Sequence, residues 1–239
     1  MKNLRFIAVT VAIFAFTACT SGQFRKTVYG NHDVVTKDRN LGSFTAVKAS
    51  SGVDVYITQG DAGPVAVEAD ENLQEYIRTE VRNGELNVYT DANIRRAERM
   101  RVYVTMPEIR SLRSTSAGNI IGQSAVKSDK LDLSASSAGD LKLEVYTSDL
   151  RVNISSSGDM TLSGEADKLD ADLSSAGDLN AYDLEVREAY VSVSSAGDAD
   201  VNVTEKITAR ASSAGDINYR GNPKYVDFHS SSAGGIHKR

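Results

Sequence analysis

The sequence predicts an all-β protein that folds as a parallel β-helix-like solenoid with coils of about 18–21 residues. Two observations lead to this prediction. The first is a short Ser-Ala-Gly-Asp phrase that recurs at a nearly constant interval, with its glycines at Gly118, Gly139, Gly158, Gly177, Gly197, Gly215 and Gly234. The second is that the segments between the copies alternate apolar and polar residues, which is typical of strands with one buried face. A period in this range indicates a solenoid or repeat array, with a stack of hairpins as the alternative.

Length and composition agree with a folded chain and exclude several classes of protein. The chain has 239 residues, of which 41% are hydrophobic and 25% charged, enough for one large domain or two small ones. A single Cys and three scattered His exclude a disulfide framework and a Cys-based zinc site. The net charge of −5 argues against nucleic acid as the main partner.

The N-terminus resembles an export signal. Lys2 and Arg5 precede an uncharged run, Phe6 to Ala18, which is short for a transmembrane helix and suits a signal-peptide core. The run ends in Phe16-Thr17-Ala18-Cys19, which resembles a bacterial lipobox, so we expect acylation of Cys19. The alternative is an ordinary secretory signal with an incidental Cys.

The predicted domain boundaries follow from this signal. Residues 1–18 form the lipoprotein signal peptide, residues 19–40 the lipidated Cys and a polar tether, and residues 41–239 the β-helix domain. The tether is assigned because its residues lack apolar periodicity. The expected location is the cell envelope, with a lipid anchor at the outer membrane, on either its periplasmic or its surface face.

Residues 41–110 predict wider coils with insertions on the same solenoid. Phe44 to Ile57 alternates around a first Ser-Ser-Gly corner and is interpreted as the first coil. Asn83-Gly84, flanked by alternating apolar residues, predicts a hairpin. We expect one helical turn within Glu71 to Ile77, and a strand over Val102 to Met106 that ends at the following proline.

From Ser111 onward each repeat predicts a strand, a corner, a second strand and a polar connection such as Ser163 to Lys168. Stacked coils lie about 4.8 Å apart, so only small residues pack in a column at the corner. We expect each corner glycine to supply a backbone conformation that other residues resist, and the neighbouring Asp to accept bonds from nearby amides. The corner glycines are Gly52, Gly118, Gly139, Gly158, Gly177, Gly197, Gly215 and Gly234.

The lipobox-like start, the first copy Ser50 to Val55 and the later corners together resemble a known family. It is the putative autotransporter adhesin, head GIN domain family of bacterial envelope proteins. The resemblance covers roughly residues 41–236, and Gly118-Asn119-Ile120 and Gly215 to Asn218 are most similar to its hallmark. It implies an all-β, β-helix-like fold, often in secreted proteins or lipoproteins of Bacteroidetes. It implies an adhesin-like role and transfers no catalytic residues.

Aspartates follow the glycines of five copies, and stacking would place their carboxylates roughly 5 Å apart. In one interpretation they form a solvated ladder of turn caps, because each neighbouring pair repels by only about 1 kcal/mol in water. In the other they hold a row of Ca²⁺ ions, which take clustered oxygen ligands. No other cofactor is expected. The residues are Asp140, Asp159, Asp178, Asp198 and Asp216.

Serines form a second corner column. Their hydroxyls either face a sugar ligand or, as we favour, form hydrogen bonds with one another and with the corner backbone. Tyr146, Tyr182 and Tyr219 follow the second strand at unequal offsets from the glycine, which argues against a regular aromatic platform. Arg95-Arg96 and Arg99 to Arg101 form a basic cluster that we interpret as a solvated face. The serines are Ser51, Ser116, Ser137, Ser157, Ser175, Ser195, Ser213 and Ser232.

The sequence favours a protein that is not an enzyme. No Gly-x-Ser-x-Gly elbow occurs, and an analogy with polysaccharide lyases on parallel β-helices would rest on fold alone. We therefore expect a non-enzymatic cell-envelope lipoprotein, an adhesin-like binding module. The alternatives are a structural envelope module that self-associates and a polysaccharide-active β-helix enzyme.

The expected partners are the membrane, through the N-terminal lipid, and a glycan or a protein. Nucleic acid is not expected. The final copy, Ser232 to Ile236, ends three residues before the C-terminus, so we expect its coil to have little room for a cap. Because an open β edge invites pairing, we also expect a homo-oligomer.

Overall fold

The computed structural model describes residues 25–239. The predicted signal peptide and Cys19 lie outside these residues. The described part is nearly all β, with one short 3-10 helix, Glu71–Leu73, where the sequence predicts a helical turn. The first ten strands are β1 Thr27–Tyr29, β2 Val34–Arg39, β3 Ala46–Ala49, β4 Asp54–Gln59, β5 Val65–Asp70, β6 Ile77–Arg82, β7 Glu85–Thr90, β8 Asn93–Arg95, β9 Met100–Met106 and β10 Ser111–Thr115. The others are β11 Asn119–Gly122, β12 Val126–Ser136, β13 Asp140–Ser155, β14 Asp159–Leu173, β15 Asp178–Ser194, β16 Asp198–Ser212, β17 Asp216–Arg220, β18 Tyr225–Ser230 and β19 Gly235–Lys238.

The chain folds into a β-solenoid of about seven turns with about 19 residues per coil. Each coil has a strand segment before its Ser-Ala-Gly corner and another after it. The segments before the corners stack in parallel into a first face, and those after the corners into a second face. For example, β13 pairs with β14 in register from Asp140 opposite Asp159 to Ile154 opposite Leu173. The predicted parallel solenoid is confirmed, and the hairpin stack is wrong.

The interior consists of apolar columns that follow from the alternation in the sequence. Leu133 stacks on Val152 in register, and the same column continues through Ala171 and Val191. All four side chains are buried. Since successive side chains of a strand point to opposite sides, the residues between them form outward columns in the same register, one residue per coil.

The polar connections predicted between strands are parts of long strands in this region. β14 runs unbroken through Ser163 to Lys168, because the segment keeps pairing with β13 and β15 while it bends. Gly164 lies in this bend with a φ of +108°, and a Cβ there would collide with the Val145 carbonyl. The strands β13–β16 therefore reach 15–17 residues and wrap around the side opposite the corners.

Near the N-terminal end, the spatial order of the coils differs from their order in the chain. β7 and β9 stack in parallel on β3 and β4, and these stack on β10 and β11. The coil of residues 46–59 therefore lies between two coils that follow it in sequence.

Antiparallel strands cover this end of the solenoid. β5 pairs with β9, β2 with β5, and β6 with β7. The predicted hairpin at Asn83-Gly84 is confirmed: it joins β6 to β7, with φ values of +52° and +76°. Solenoids require such terminal caps, because each coil alone leaves an apolar face uncovered.

Residues 27–39 differ from the polar tether that the sequence predicts. They form β1, which pairs with β8, and β2, which pairs with β5. Asp70 holds this region: its carboxylate is 0% exposed and accepts backbone amide bonds from His32, Glu98 and Arg99 at 3.0, 2.9 and 3.2 Å. The segment joins the fold through backbone pairing and one buried carboxylate, neither of which produces apolar periodicity.

Candidate functional site

At the corners, the unusual backbone conformation is a positive φ, and the two residues before the glycine adopt it. At residues 137–139, Ser137 and Ala138 have φ values of +52° and +57°, while Gly139 has no positive φ. The same pair of positive φ values recurs at all seven corners from residue 116 to residue 233. The prediction that the glycines supply the unusual conformation is therefore wrong for the seven from Gly118 to Gly234, since two non-glycine residues adopt it there, whereas Gly52 does supply it.

The close approach between neighbouring coils explains why glycine occupies this corner position. A Cβ on Gly139 would lie 2.6 Å from backbone atoms of Ser114 and Thr115 in the preceding coil. Gly158 and Gly234 face the preceding coil in the same way, with nearest backbone atoms at 2.7 and 2.6 Å. At these three glycines the coil spacing leaves room for a hydrogen atom and no side chain.

Two residues occupy corner positions other than those assigned from the sequence. Gly52 has a φ of +70° and open space around its Cβ position, and its amide donates to the Ser116 carbonyl at 3.2 Å. It therefore takes the alanine position, and Val53 the glycine position. Ser157 also has a positive φ and takes an alanine position, which places Ser156 in the serine column.

The five aspartates form one ladder on the outer surface of the second face. Parallel register places Asp140 opposite Asp159, and the ladder continues through Asp178, Asp198 and Asp216. Within the described residues, one ladder carboxylate accepts a backbone amide bond, that of Asp178 from Asp198 at 3.2 Å. The expected amide caps are therefore not general, and the Asp amides donate instead to the glycine carbonyls of the preceding coil.

Stacking raises the pKa of two ladder carboxyls. For Asp159, partial burial is the larger cause, followed by the negative charges of Asp140 and Asp178. For Asp198, partial burial again comes first, followed by Asp178, Asp216 and Asp200. Both causes disfavour the ionised form, so the ladder lowers the stability of the fold when it is fully charged.

The structure leaves the calcium hypothesis as a prediction. Within residues 25–239, no group of three or more His, Cys, Asp or Glu side chains is arranged to hold a metal ion. The ladder carboxylates lie in a row along the solenoid axis rather than converging on one point. The corner serines, such as Ser137 and Ser175, are exposed to solvent beside them.

A groove runs along the outer surface of the first face, beside the bends opposite the corners, and we call it the lateral groove. Its volume is about 700 Å³. The first wall is the column Lys130, Asp149, Lys168, Glu188 and Lys206. The second wall is the column Asp132, Arg151, Asp170, Tyr190 and Thr208. Each wall presents one residue per coil in register, so the groove crosses five coils.

The first wall alternates in charge at every coil. Opposite charges on neighbouring strands stabilise a sheet and like charges destabilise it, so this column obeys the pairing rule that the aspartate ladder breaks. Among the groove residues, all of which are described, one ion pair lies within 4.0 Å, between Arg151 and Asp132 at 3.7 Å. Within the described residues, the ammonium and carboxylate groups of the first wall form no ion pair within 4.0 Å.

A second depression of about 1020 Å³ continues the lateral groove toward the N-terminal coils and shares Lys130 and Asp132 with it. Gln59 lies in its lining. The Gln59 amide group donates to the carbonyls of Pro107 and Lys127 at 3.1 and 2.9 Å and accepts from the Lys127 amide at 2.7 Å. These bonds join the end of β4 to the start of β12 and to the segment after β9, at the start of the groove.

Tyr190 is the aromatic side chain of the lateral groove. It is 37% exposed, and the Arg210 guanidinium lies 5.7 Å from its ring centre. Tyr190 and both walls lie outside the corner phrase, and the sequence did not predict them as a site. A signal was present, since Lys130, Asp149 and Lys168 recur with the same period as the glycines.

The tyrosines singled out from the sequence lie in unrelated environments. Tyr219 is buried, Tyr182 lies under the Arg220 guanidinium at 3.9 Å, and Tyr146 donates to the Glu144 carboxylate at 2.9 Å. They do not form a common stacking surface.

Part of the basic cluster faces a carboxylate. Arg99 and Arg101 lie 3.8 and 3.9 Å from the carboxylate oxygens of Glu68. Because these two arginines have a nearby carboxylate, the cluster fits the interpretation of a solvated face whose positive charges are partly balanced within the protein.

The fold and the groove define a class of protein, a parallel β-solenoid with antiparallel strands over its N-terminal end and a groove lined by charged side chains along its side. The family model described as putative auto-transporter adhesin, head GIN domain, matches residues 43–223. The chain belongs to this family. No curated protein matches the chain.

Solved structures share the fold over nearly the whole chain. A putative adhesin from Bacteroides fragilis NCTC 9343 has a TM-score of 0.82 at 22% identity, and the match covers 89% of this chain and 100% of that one. A putative adhesin from Parabacteroides merdae ATCC 43184 has a TM-score of 0.72 at 20% identity, covering 90% and 99%. A putative lipid binding protein from Parabacteroides distasonis ATCC 8503 has a TM-score of 0.71 at 22% identity, covering 90% and 100%.

These identities are low, so the likeness shows the fold. Within residues 25–239, no helix has the length and apolar character that crossing a membrane would require.

Proposed function

We propose that this chain is a non-enzymatic binding module of the bacterial cell envelope, and that the lateral groove is its binding site. The observation that carries the proposal is the groove itself, a continuous channel across five coils whose first wall carries charged groups that form no ion pair within 4.0 Å. The family description and the structural neighbours name adhesins, which supports a binding role.

The proposed role is binding without catalysis, and the printed names support it: the family and the solved neighbours are described as adhesins or as a lipid binding protein. Incubation with envelope polysaccharides should release no new reducing ends, and release would contradict this part of the proposal.

The N-terminal sequence supports an envelope location with a lipid anchor. Cys19 follows a signal-peptide-like segment and a small residue, as in a lipobox. The proposed location is the outer membrane. The test is metabolic labelling of the full chain with a fatty-acid analogue in a bacterial host. The wild type should carry label in the outer-membrane fraction, and Cys19→Ser should carry none. Equal labelling of both would contradict the anchor.

The binding site is tested with isolated cell envelopes. The chain from residue 25 onward, which contains the whole described solenoid, should sediment with purified envelopes. Lys168→Ala and Tyr190→Ala should both reduce the bound fraction, while Lys142→Ala, an exposed lysine on the second face, should not. Binding that is indifferent to the groove variants would contradict the site.

Self-association is a second candidate function, and the last coil favours it. Val226 and Phe228 of β18 are 56% and 40% exposed, whereas Ile207 and Ala209, which lie opposite them in the preceding coil, are 0% exposed. Within residues 25–239 nothing packs over this end. An uncovered apolar coil with a free edge is a surface for a second copy.

A further inference from the structure

We propose that the lateral groove binds a linear, uncharged glycan in an extended conformation, with the sugar chain running along the solenoid axis. The inference rests on the proposed binding function and names its ligand class.

The shape of the groove sets the direction of the ligand. Both walls present one residue per coil across five coils, so equivalent positions repeat along the axis and not across it. The repeat distance is the strand spacing of about 4.8 Å, which gives about 19 Å between the first and the fifth coil. A linear polymer with a short repeating unit fits such a surface, whereas a compact ligand would contact two or three coils only.

The charge pattern of the two walls indicates which chemical groups the ligand carries. Lys130, Lys168 and Lys206 donate, while Asp149 and Glu188 between them accept. Hydroxyl groups both donate and accept, so an extended chain of hydroxyls can satisfy every coil of this wall. The two walls carry four basic residues, Lys130, Lys168, Lys206 and Arg151, and four acidic ones, Asp149, Glu188, Asp132 and Asp170. The groove therefore has no net charge to attract a charged polymer.

Other linear polymers fit this groove less well. Nucleic acids and polyanionic glycans would bring their charges against the four carboxylates. An extended peptide that binds by strand addition gains its affinity by pairing its backbone with a free sheet edge. The groove lies on a sheet face whose backbone groups already pair between coils, so it offers a peptide no such edge.

Tyr190 provides the apolar contact that a sugar ring needs. Its ring is 37% exposed within the second wall. The Arg210 guanidinium, 5.7 Å from the ring centre, restricts the ring before any ligand arrives. Pre-ordered aromatic side chains supply contact area at low entropic cost. The ring therefore marks one sugar subsite in the fourth coil of the groove.

The experiment is calorimetric titration of the chain from residue 25 onward with linear cello-, chito- and manno-oligosaccharides, from the disaccharide to the octasaccharide. In at least one series, affinity should rise with length and level off once the oligosaccharide spans the five coils. Tyr190→Ala and Lys168→Ala should each weaken binding by about tenfold or more. Lys142→Ala on the second face should leave affinity within about twofold. Circular dichroism and melting of each variant confirm that the solenoid is intact.

The outcomes separate this inference from the proposed function. The glycan inference is overturned if no neutral series binds, if polygalacturonate binds more tightly than every neutral series, or if binding ignores both groove variants. If the groove variants still abolish envelope binding while no neutral glycan binds, the proposed function stands and the ligand class is wrong. If neither envelopes nor glycans bind, both fail together.

Discussion

At the scale of single residues, the corner glycines hold the coils at their spacing. The glycines from Gly118 to Gly234 pack so closely on the preceding coil that a Cβ would lie less than 3.0 Å from one of its atoms. The two residues before each of these glycines adopt a left-handed conformation that costs roughly 1–2 kcal/mol per residue. Backbone bonds between neighbouring corners, such as Ala138 N–H to the Ser156 carbonyl at 3.2 Å, hold this conformation in place.

Gly139→Ala should destabilise the fold by about 3 kcal/mol or more, because the new Cβ would overlap backbone that the neighbouring coil fixes. Gly63→Ala, at a position with open space and no positive φ, should change stability by less than about 1 kcal/mol. Urea unfolding followed by circular dichroism measures both. Equal stability of the two variants would contradict the close-approach explanation.

The aspartate ladder gives a pH-dependent prediction. The folded-state pKa of Asp159 is raised, so the folded protein favours the protonated form, and stability is lost as pH rises from the unfolded pKa of about 3.9 through the folded pKa. Asp159→Asn should therefore raise Tm by a few degrees at neutral pH and low salt. The gain should shrink with added salt, which screens exposed charges, and vanish at a pH below both pKa values.

Asp132→Asn is the matched control for this change, because Asp132 faces Arg151 at 3.7 Å instead of another carboxylate. It should lower Tm slightly or leave it unchanged. If both variants raise Tm equally, stacking of like charges is not the cause.

The same melting assay tests the calcium hypothesis. If the ladder holds Ca²⁺ ions, millimolar calcium should raise Tm relative to EDTA, and Asp159→Asn should reduce the shift, because calcium needs several carboxylate ligands. Magnesium serves as the ionic-strength control. No difference between calcium and EDTA would remove the hypothesis.

At the scale of elements, Asp70 is the point that joins the N-terminal strands to the solenoid. Its buried carboxylate accepts three backbone amides from segments far apart in the chain. Asp70→Ala would leave these donors without their partner, and each unsatisfied buried group costs about 1–3 kcal/mol. We expect a loss of about 3 kcal/mol of stability, with Asp61→Ala at an exposed position as the neutral control.

Hydrogen exchange locates the effect of Asp70→Ala. Exchange should accelerate first at the amides of His32, Glu98 and Arg99, and in the paired strands β1 and β8, while the central coils β13–β16 keep their protection. Uniformly faster exchange along the chain would show that Asp70 supports the whole fold and not this junction.

At the scale of the whole molecule, the two ends differ. Antiparallel strands cover the N-terminal end, whereas the coil of β18 and β19 leaves apolar side chains exposed. If this end pairs with a second copy, light scattering at high concentration should give a mass above that of a monomer. Val226→Lys with Phe228→Lys should return the monomer, because like charges at a shared edge oppose pairing. A monomeric wild type at high concentration would contradict the self-association candidate.

Much of the fold could be predicted because its signal is local and repeated. The period of the glycines and the alternation around Leu131 and Leu133 predict parallel coils, and the pairing of β12 with β13 confirms them. The hairpin at Asn83-Gly84 was predicted by the same kind of local pattern. The role predicted for the glycines from Gly118 to Gly234 was wrong. Turn chemistry suggested that glycine is needed there for a positive φ, whereas it is needed because the neighbouring coil lies so close.

The lateral groove was not predicted, although its residues follow the same period as the corners. In the linear sequence the period of these charges indicates a column, but it does not indicate that the column borders a groove. It becomes a wall only when the register places Lys130 beside Asp149 and Asp149 beside Lys168. The aspartate ladder was predicted because each of its residues directly follows a corner glycine, so the repeat of the phrase also gives the repeat of the aspartates.

The sequence by itself determined the coil, its period and the inward columns, because these depend on residues within one repeat and on the two-residue alternation of a strand. The tertiary structure alone decided that residues 85–106 stack outside residues 46–59, and that residues 27–39 join the sheet. It alone brought the two walls of the lateral groove together. These features depend on pairing between residues far apart in the chain, and no local pattern encodes which distant strand a segment will join.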